Sequence, residues 1–395
     1  MPGSILNSAQ RIKYLLPWAV FSVTICSACL LFLLGIHFAK YLIFIFSILS
    51  IVFVLDKETF QESVKRISIF LTPWLFWFVS LLVLSLVHGA DGYSYGYNAL
   101  LIMILVFLAL QPIHLSRNLL LKTIALFLFF MSIAIIIHVL TIGFIDNGVY
   151  SVNKNKVAGV VTFLSICCFS SLIFEKNIFA FKEQIVIATS VLTSLLCIVL
   201  LEARTALLAY FALVLVVCLG KKFKVALLVL LISCIMVALF SATGRIQQGI
   251  SDLKNFQDGN SYTSWGIRLE LWKFALIGFC DSPLYGWGSK AFDALVDNGY
   301  VFGVQNYFRT HFHNDFFQTL VSGGLIGVTG WIGTLILLIR QSWSDFTKLA
   351  LLASILAMGL ADRYWSHWIT FYPFISLWVL LYLSESQEEN RTKNV

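Results

Sequence analysis

Charged residues are scarce in this sequence. Asp, Glu, Lys and Arg make up 12% of its 395 residues, whereas 59% are hydrophobic and the mean hydropathy is +0.88. Soluble globular domains are about 45–50% apolar, so this composition excludes that class. Uncharged runs of about 17–25 residues recur instead, each long enough to cross a hydrocarbon core as a helix. Because lipid cannot satisfy backbone hydrogen bonds, the sequence predicts an all-α polytopic membrane protein.

Several familiar signatures are also missing. The sequence has no repeat of fixed period and no low-complexity tract. Seven of the eight cysteines lie inside apolar runs, which leaves Cys280 alone in the long polar segment, so we expect small apolar side chains rather than disulfides. No HExxH motif or cysteine cluster is present, and we predict neither a metal nor another cofactor. The net charge of +7 comes in short clusters between apolar runs, which indicates topology rather than nucleic-acid binding.

The apolar runs predict about twelve transmembrane helices. They cover residues 15–34, 39–55, 67–87, 98–112, 118–142, 157–174, 185–201, 205–219, 225–241, 316–339, 347–361 and 367–384. With the N-terminus inside, cytoplasmic segments hold sixteen of the 27 Lys and Arg, against five in short external loops. Since short cytoplasmic loops are enriched in these residues, both termini are predicted to be cytoplasmic.

We expect a single membrane domain with one large external loop. Helices 1 to 9 occupy residues 1–241, the loop spans 242–315, and helices 10 to 12 with a cytoplasmic tail occupy 316–395. The first part of the loop, 244–261, is predicted to be turn-rich because of its Gly, Asp, Asn and Ser residues. Residues 265–279 predict an amphipathic helix, which a turn at Pro283 ends. Its apolar stripe is predicted at Trp265, Leu269, Trp272 and Leu276.

Two arginines could bind an anion on the external side. Arg204 lies between two long uncharged runs, where an ionisable side chain is costly and tends to face a partner or a wet cavity. Arg268 lies on the predicted loop helix, and a guanidinium matches phosphate oxygens with a planar fork of donors. Alternatively, Arg204 is a hairpin charge at the membrane interface, and Arg268 belongs to the solvated face of the loop helix.

A histidine could supply a base on the same side. His313 lies in the sequence THFHNDFFQ, with His311, Asn314 and Asp315 around it. Imidazole accepts a proton near neutral pH, and a neighbouring carboxylate can orient it. The alternatives are an interfacial histidine or, for His311 with His313, a metal site that no further ligand motif supports.

These residues favour chemistry at the external leaflet. A transporter usually buries ionisable groups at mid-membrane, whereas the predicted span interiors carry almost no charge. Guanidinium groups and a base fit the displacement of a diphosphate-linked group, in which the arginines hold the diphosphate and His313 deprotonates an attacking hydroxyl.

The combination resembles the O-antigen ligase and polymerase family of bacterial envelope glycosyltransferases. The matching pieces are Ala203–Arg204–Thr205–Ala206, Gly266-x-Arg268 with Trp272, Pro283-x-x-Gly286-x-Gly288, and His313–Asn314 followed by Gly323, Gly324 and Gly327. Their order, with the long loop before the tenth span, is similar to that family over most of the chain.

The resemblance implies an inner-membrane enzyme of the lipid-linked-sugar glycosyltransferase (GT-C) type, with its active site facing the periplasm among membrane lipids. The donor would be O-antigen linked to undecaprenyl diphosphate and the acceptor lipid A–core oligosaccharide, without a metal. Arg204 and Arg268 would contact the diphosphate and His313 would act on the acceptor hydroxyl. Asn314, Asp315 and His311 would be supporting residues.

Two other functions stay open at this point. An O-antigen polymerase, or another undecaprenyl-diphosphate-dependent oligosaccharyltransferase, would share the donor and the arginines. Polymerases often have more than one arginine-rich external loop, whereas this chain has one large loop, which favours the ligase. A glycan exporter would move its substrate without forming a bond.

Overall fold

The computed structural model describes residues 45, 47–51, 61, 66–89, 101, 103–109, 116–142, 154–302 and 311–393. Its main helices are α1 (Leu75–His88), α2 (Arg117–Ile142), α3 (Lys154–Phe174), α4 (Phe181–Leu200), α5 (Thr205–Leu219), α6 (Phe223–Ala242), α7 (Arg245–Gln257), α8 (Ser264–Asp281), α9 (Ala291–Asp297), α10 (Asp315–Gln341), α11 (Phe346–Gly359) and α12 (Trp368–Lys393). Short 3₁₀ turns occupy Thr72–Trp74, directly before α1, and Lys176–Ile178. The described residues include no strand, in agreement with the all-α prediction.

Among the residues that the structure describes, six helices are long and apolar enough to cross a membrane. They are Arg66–His88, Arg117–Thr141, Lys154–Phe174, Phe181–Leu200, Phe223–Ala242 and Asp315–Gln341. Each coincides with a predicted span, and the predicted spans 205–219 and 347–361 appear as the shorter apolar helices α5 and α11. The span predicted at 15–34 lies outside the described residues, as do most of 39–55 and part of 98–112. The structure therefore supports an integral helical membrane protein.

The chain divides into two compact units. Unit 1 comprises residues 1–72, 98–200 and 368–395, and it includes α2, α3, α4 and α12. Helix α3 is its central element, because 83% of its most apolar window is buried and it packs against α2, α4 and α12. Ser194 Oγ donates to Ser165 Oγ at 2.7 Å between α4 and α3, which satisfies two hydroxyl groups inside the apolar bundle.

Unit 2, residues 73–97 and 201–367, contains α1 and α5 to α11 and all the predicted site residues. Its longest helix, α10, is interrupted at Gly324, where φ is 57° and ψ is −151°. The segment Pro283–Gly288 lies against this break. Trp287 N donates to Val321 O at 2.9 Å, and Leu325 N donates to Pro283 O at 2.8 Å. Backbone groups that the interrupted helix leaves without helical partners are thereby hydrogen-bonded.

The segment predicted as the large external loop differs from its prediction in two respects. Residues 245–257 form helix α7 and not a series of turns, because Ile246, Ile250 and Leu253 recur at helical spacing while the turn residues cluster only at 258–260. Helix α8 confirms the predicted helix, but its apolar stripe was wrong. Leu271, Phe274, Ala275 and Gly278 are its buried residues together with Gly266, whereas Leu276 is 47% exposed.

The buried face of α8 belongs to a local core. Leu271, Phe274 and Ala275 pack with Phe292 of α9 and with Phe312, which precedes α10. Phe312 is fully buried, and its ring centroid lies 6.0 Å from that of Phe292. Burial of these aromatic side chains stabilises α8 and α9 against the segment before α10 and fixes the backbone next to His313.

Candidate active site

His313 is paired with a buried carboxylate. Its Nδ1 lies 3.1 Å from Oδ1 of Asp362, and the two side chains are 6% and 1% exposed. A carboxylate can only accept a hydrogen bond, so this contact assigns the imidazole proton to Nδ1. Nε2 then carries the lone pair and can accept a proton from another molecule. The arrangement is that of a base oriented by an acid residue.

His313 has an unusual backbone conformation. His313 has a φ of 49°, in the left-handed region that only a few per cent of residues other than glycine occupy, with His, Asn and Asp enriched among them. Such strain persists only where the surroundings impose it, and it is concentrated at functional sites. Two neighbours supply the constraint. Phe312 is buried on one side, and on the other Asn314 caps α10, accepting from Phe316 N at 2.8 Å and Phe317 N at 3.1 Å.

Asp315 organises the loop that carries Asp362. Its Oδ2 accepts from Tyr364 N at 2.8 Å and Trp365 N at 2.7 Å. Its Oδ1 accepts from Ser366 N at 3.1 Å and from Ser366 Oγ at 2.9 Å. Asp315 is only 2% exposed, so these four contacts replace the water that its charge would otherwise bind. Asp315 thereby positions the loop from which Asp362 reaches His313.

Helix α8 supports the same segment through Trp272. Trp272 Nε1 donates to Phe312 O at 3.1 Å, and the Trp272 ring stacks on Phe317 with centroids 5.4 Å apart. Trp272 lies one helical turn after Arg268, so the helix that carries the arginine also fixes the residue before His313.

Arg204 lies at the start of α5, directly against α7. The residue is half-buried, and a methyl group built on Gly249 would lie 2.8 Å from its Nη1 and 3.6 Å from Nε1 of Trp265. Glycine at 249 thus leaves room for the guanidinium between α5 and α7. Glu202, two residues earlier, has a φ of 54°, which marks the tight turn that separates α4 from α5.

Arg268 stands beside the same tryptophan. Its guanidinium carbon lies 5.5 Å from the Trp265 ring centroid, and Nη1 donates to Ser264 Oγ at 3.2 Å. A cation held over an aromatic ring is oriented without being neutralised. Since Trp265 is also next to the Gly249 position that Arg204 touches, the structure brings both predicted arginines to one tryptophan.

Tyr364 connects the segment that carries Arg204 to the pair of His313 and Asp362. Its hydroxyl lies 2.8 Å from Thr205 Oγ1, the residue after Arg204, and both groups are buried. Burial and the negative charge of Asp362 raise the pKa of Tyr364, while the positive charge of Arg268 acts in the opposite direction. The phenol is therefore neutral and lies within the electrostatic reach of both Asp362 and Arg268.

His311 lies next to His313, with ring centroids 4.3 Å apart. Ligand atoms of His311, His313 and Asp362 all lie within 4.8 Å of one another, so these three residues could hold a metal ion. The sequence-based expectation of a metal-free site stays a prediction.

Asp362 and Tyr364 were not predicted as site residues. The signal available in the sequence is the run Asp362–Arg363–Tyr364–Trp365, which places two charges and two aromatic residues between two apolar helices. A short polar loop is commonly only a solvated connection, so composition did not distinguish it.

Two comparisons with known proteins relate the chain to O-antigen ligases. Residues 189–332 match the family model described as O-antigen ligase, and this range includes Arg204, Arg268 and His313. The chain is also 26% identical over 185 residues to the O-antigen ligase of Escherichia coli strain K12. That similarity covers 44% of this chain and 43% of the relative, so the match spans less than half of the curated protein.

Proposed function

We propose that this chain, a member of the O-antigen ligase family, transfers O-antigen polysaccharide from undecaprenyl diphosphate to lipid A–core oligosaccharide at the periplasmic leaflet of the inner membrane. The observation that carries the proposal is the buried pair of His313 and Asp362, at 3.1 Å, in the unit that also holds both arginines. The proposal includes the twelve-span topology with cytoplasmic termini and a fold of the lipid-linked-sugar glycosyltransferase type.

His313 acts as the general base. The acceptor hydroxyl gives its proton to Nε2 while its oxygen forms a bond to the anomeric carbon of the donor glycan. Asp362 accepts from Nδ1–H and stabilises the imidazolium that results, because its negative charge is buried beside the ring. The proton later leaves to water or to the departing group.

Arg204 and Arg268 act on the leaving group. As the bond from the anomeric carbon to the diphosphate oxygen breaks, its electron pair stays on the diphosphate. Guanidinium groups bind such oxygens with paired donors and stabilise the growing charge. Trp265 keeps Arg268 oriented before the substrate arrives, so less reorganisation is required in the transition state.

A reconstituted reaction tests this mechanism. Purified protein is given lipid-linked polymer and lipid A–core, and covalent lipopolysaccharide is measured on gels. We expect wild-type protein to form product in the presence of a chelator. We expect His313→Gln to be slower by about 10²–10⁴, the range of a lost general base. His138→Gln, a change of the same kind on α2, serves as the control and should retain activity.

The arginines are tested in the same assay. Arg268→Ala should reduce turnover by roughly 10²–10³, as expected when one charge-stabilising group is removed. Arg340→Ala, on α10 and at the predicted cytoplasmic side, is the matched control. Wild-type turnover in Arg268→Ala would remove this residue from the mechanism, and loss of product on chelation would assign a metal to His311, His313 and Asp362.

The cellular test separates the related functions. In a strain that lacks this chain, bare core together with accumulated lipid-linked polymer supports the ligase. Core capped by a single repeat identifies a polymerase instead. An unchanged lipopolysaccharide profile would contradict both.

A further inference from the structure

Asp252 is a buried carboxylate for which the proposed mechanism has no role. The residue lies on α7 and is 6% exposed. Its Oδ2 is buried and has no hydrogen-bond partner among the residues that the structure describes. An ionised carboxylate in such a place costs free energy unless hydrogen-bond donors replace the water that it loses. Native proteins pair nearly all of their buried polar groups, so Asp252 indicates a contact with a ligand.

The position of Asp252 on α7 brings it next to the place where this helix meets Arg204. Gly249 is that meeting point, because a methyl group built on it would lie 2.8 Å from Nη1 of Arg204. Asp252 follows Gly249 by three residues within the same helix. Side chains three residues apart lie on one face of a helix, with Cβ atoms about 5–6 Å apart. The carboxylate therefore comes one helical turn after the contact with the arginine.

The start of α8 holds the backbone of Asp252 in place. Thr263, the N-cap of α8, donates from Oγ1 to Asp252 O at 3.4 Å, and the same oxygen accepts from Gly266 N at 3.0 Å. Trp265, two residues after this cap, lies against Arg268, whose guanidinium carbon is 5.5 Å from the ring centroid. Helices α7 and α8 pack together within unit 2. Asp252 and both arginines therefore belong to one group of contacts.

The charge of Asp252 decides which part of a substrate it can contact. An ionised carboxylate has acceptor atoms only, so it binds hydroxyl or amide N–H groups and repels phosphate oxygens. In the proposed reaction, Arg204 and Arg268 hold the diphosphate. The sugar attached to that diphosphate is the neighbouring group that carries hydrogen-bond donors. A carboxylate one helical turn from the arginine contact therefore matches this sugar in both distance and chemistry.

We propose that Asp252 is a specificity-determining residue, which accepts a hydrogen bond from the sugar attached directly to the diphosphate. This inference rests on the proposed function, because it requires a lipid-linked sugar as donor. The sugar supplies Oδ2 with the partner that the described residues do not provide. A donor without the matching hydroxyl or amide would leave a buried carboxylate unpaired. Sites built on such a hydrogen bond reject the deficient analogue far more strongly than apolar pockets do.

Binding of lipids to the whole purified protein tests the proposal without requiring transfer. The probes are undecaprenyl diphosphate and the same lipid carrying one N-acetylglucosamine or one galactose, titrated in native mass spectrometry. Asp252→Ala should weaken the tighter sugar-bearing lipid by about 10- to 100-fold, the scale of one hydrogen bond to a charged group. It should bind the sugar-free lipid at least as tightly as wild type, because a negative charge near the diphosphate is removed. Asp258→Ala, at the exposed end of α7, is the control and should bind every probe as wild type does.

Arg204→Ala separates recognition of the diphosphate from recognition of the sugar. This variant should weaken the sugar-free and the sugar-bearing lipids alike, since the diphosphate is common to them. An equal loss of both kinds of lipid in Asp252→Ala, or unchanged binding of both, would overturn the role of Asp252 and leave the proposed function standing. If wild-type protein bound neither kind of lipid, the proposed function would fail and this inference with it.

The unfolding temperature distinguishes a residue that contacts a ligand from one that supports the fold. Asp252→Asn keeps the shape of the side chain and removes its charge. Because a buried charge without a partner destabilises the substrate-free protein, this variant should unfold at a higher temperature than wild type when no lipid is present. Weaker sugar recognition with higher stability is the result expected of a residue retained for binding. A lower unfolding temperature in Asp252→Asn would assign the carboxylate to the fold and overturn the proposal.

Discussion

Thr205 Oγ1 and Tyr364 OH lie 2.8 Å apart and are both buried, which joins the turn that carries Arg204 to the loop that carries Asp362. The two residues are 159 positions apart in the sequence. This hydrogen bond links the proposed diphosphate-binding residue to the carboxylate that orients the proposed base. Thr205 and Tyr364 therefore position site residues without touching the substrate themselves.

Tyr364→Phe should remove this link. We expect turnover to fall, because the turn of Arg204 and the loop of Asp362 lose the hydrogen bond that joins them. The hydroxyl left on Thr205 should also lower the free energy of unfolding by about 1–3 kcal/mol. The Michaelis constants should change less than turnover, because neither residue is proposed to bind substrate. Steady-state kinetics of the reconstituted reaction measure both quantities, and unchanged kinetics would show that the hydrogen bond is dispensable.

The same variant should alter stability at alkaline pH. Burial first, and then Asp362, raise the pKa of Tyr364, so the folded protein keeps the phenol neutral while the unfolded chain ionises near pH 10. This contribution to stability is complete below about pH 10 and is lost as pH rises further. Between about pH 9 and pH 11, the unfolding temperature should therefore fall more in wild type than in Tyr364→Phe. Parallel curves would contradict the raised pKa.

Asp362→Asn should impair catalysis while leaving binding nearly intact. The amide can no longer supply a negative charge to the imidazolium, so we expect turnover to fall by about 10²-fold or more. The control is Asp258→Asn, the same substitution at an exposed residue at the end of α7. This variant should keep wild-type turnover and wild-type substrate binding. A turnover close to wild type in Asp362→Asn would remove the carboxylate from the mechanism.

Asp315→Asn should act mainly on the fold. The buried carboxylate accepts four hydrogen bonds from residues 364–366, and an amide offers one accepting oxygen and a nitrogen that faces donors. Hydrogen bonds to charged groups contribute about 1.5–3 kcal/mol each, so the unfolding temperature should drop clearly. Asp297→Asn at the exposed end of α9 should not change it. Thermal unfolding in detergent is the measurement.

Gly286→Ala tests the support of the break in α10. Gly286 has a φ of 65°, and a methyl group there would lie 2.5 Å from Val321 O. Gly259→Ala is the matched control, because its φ is 86° and nothing lies within 4 Å. The control should carry only the backbone penalty of about 1–2 kcal/mol, whereas Gly286→Ala should also separate the loop from α10. Equal losses of stability would show that the close contact is unimportant.

Gly249→Ala offers a way to displace Arg204 without mutating it. The added methyl group would lie 2.8 Å from Nη1, and the long side chain can move away. We expect a higher Michaelis constant for the lipid-linked donor with little change in unfolding temperature. Gln248→Ala, the preceding exposed residue on α7, should leave both unchanged. Normal donor affinity in Gly249→Ala would argue against Arg204 as a diphosphate ligand.

The sequence by itself determined the class of protein and most of its described helices. Long apolar runs are local signals, and a lipid environment permits few alternatives to a helix, so the spans from 67–87 to 316–339 coincide with described helices wherever the structure describes them. Arg204, Arg268 and His313 were predicted as site residues because ionisable side chains are rare in this chain, and their roles stay a prediction. The prediction of turns was wrong for α7, because Gly249 lies within the helix and leaves room there for the side chain of Arg204.

Only the tertiary structure decided how these residues are connected. His313 and Asp362 are 49 positions apart, and no local pattern distinguishes Asp362 from Asp315 as the partner of the imidazole. The break at Gly324 is likewise supported by the remote segment Pro283–Gly288, whose backbone is hydrogen-bonded to Val321 and Leu325. Side chains so far apart in the sequence meet only when several helices pack together and bury them in one place. A sequence pattern shows only which residues are neighbours along one helix.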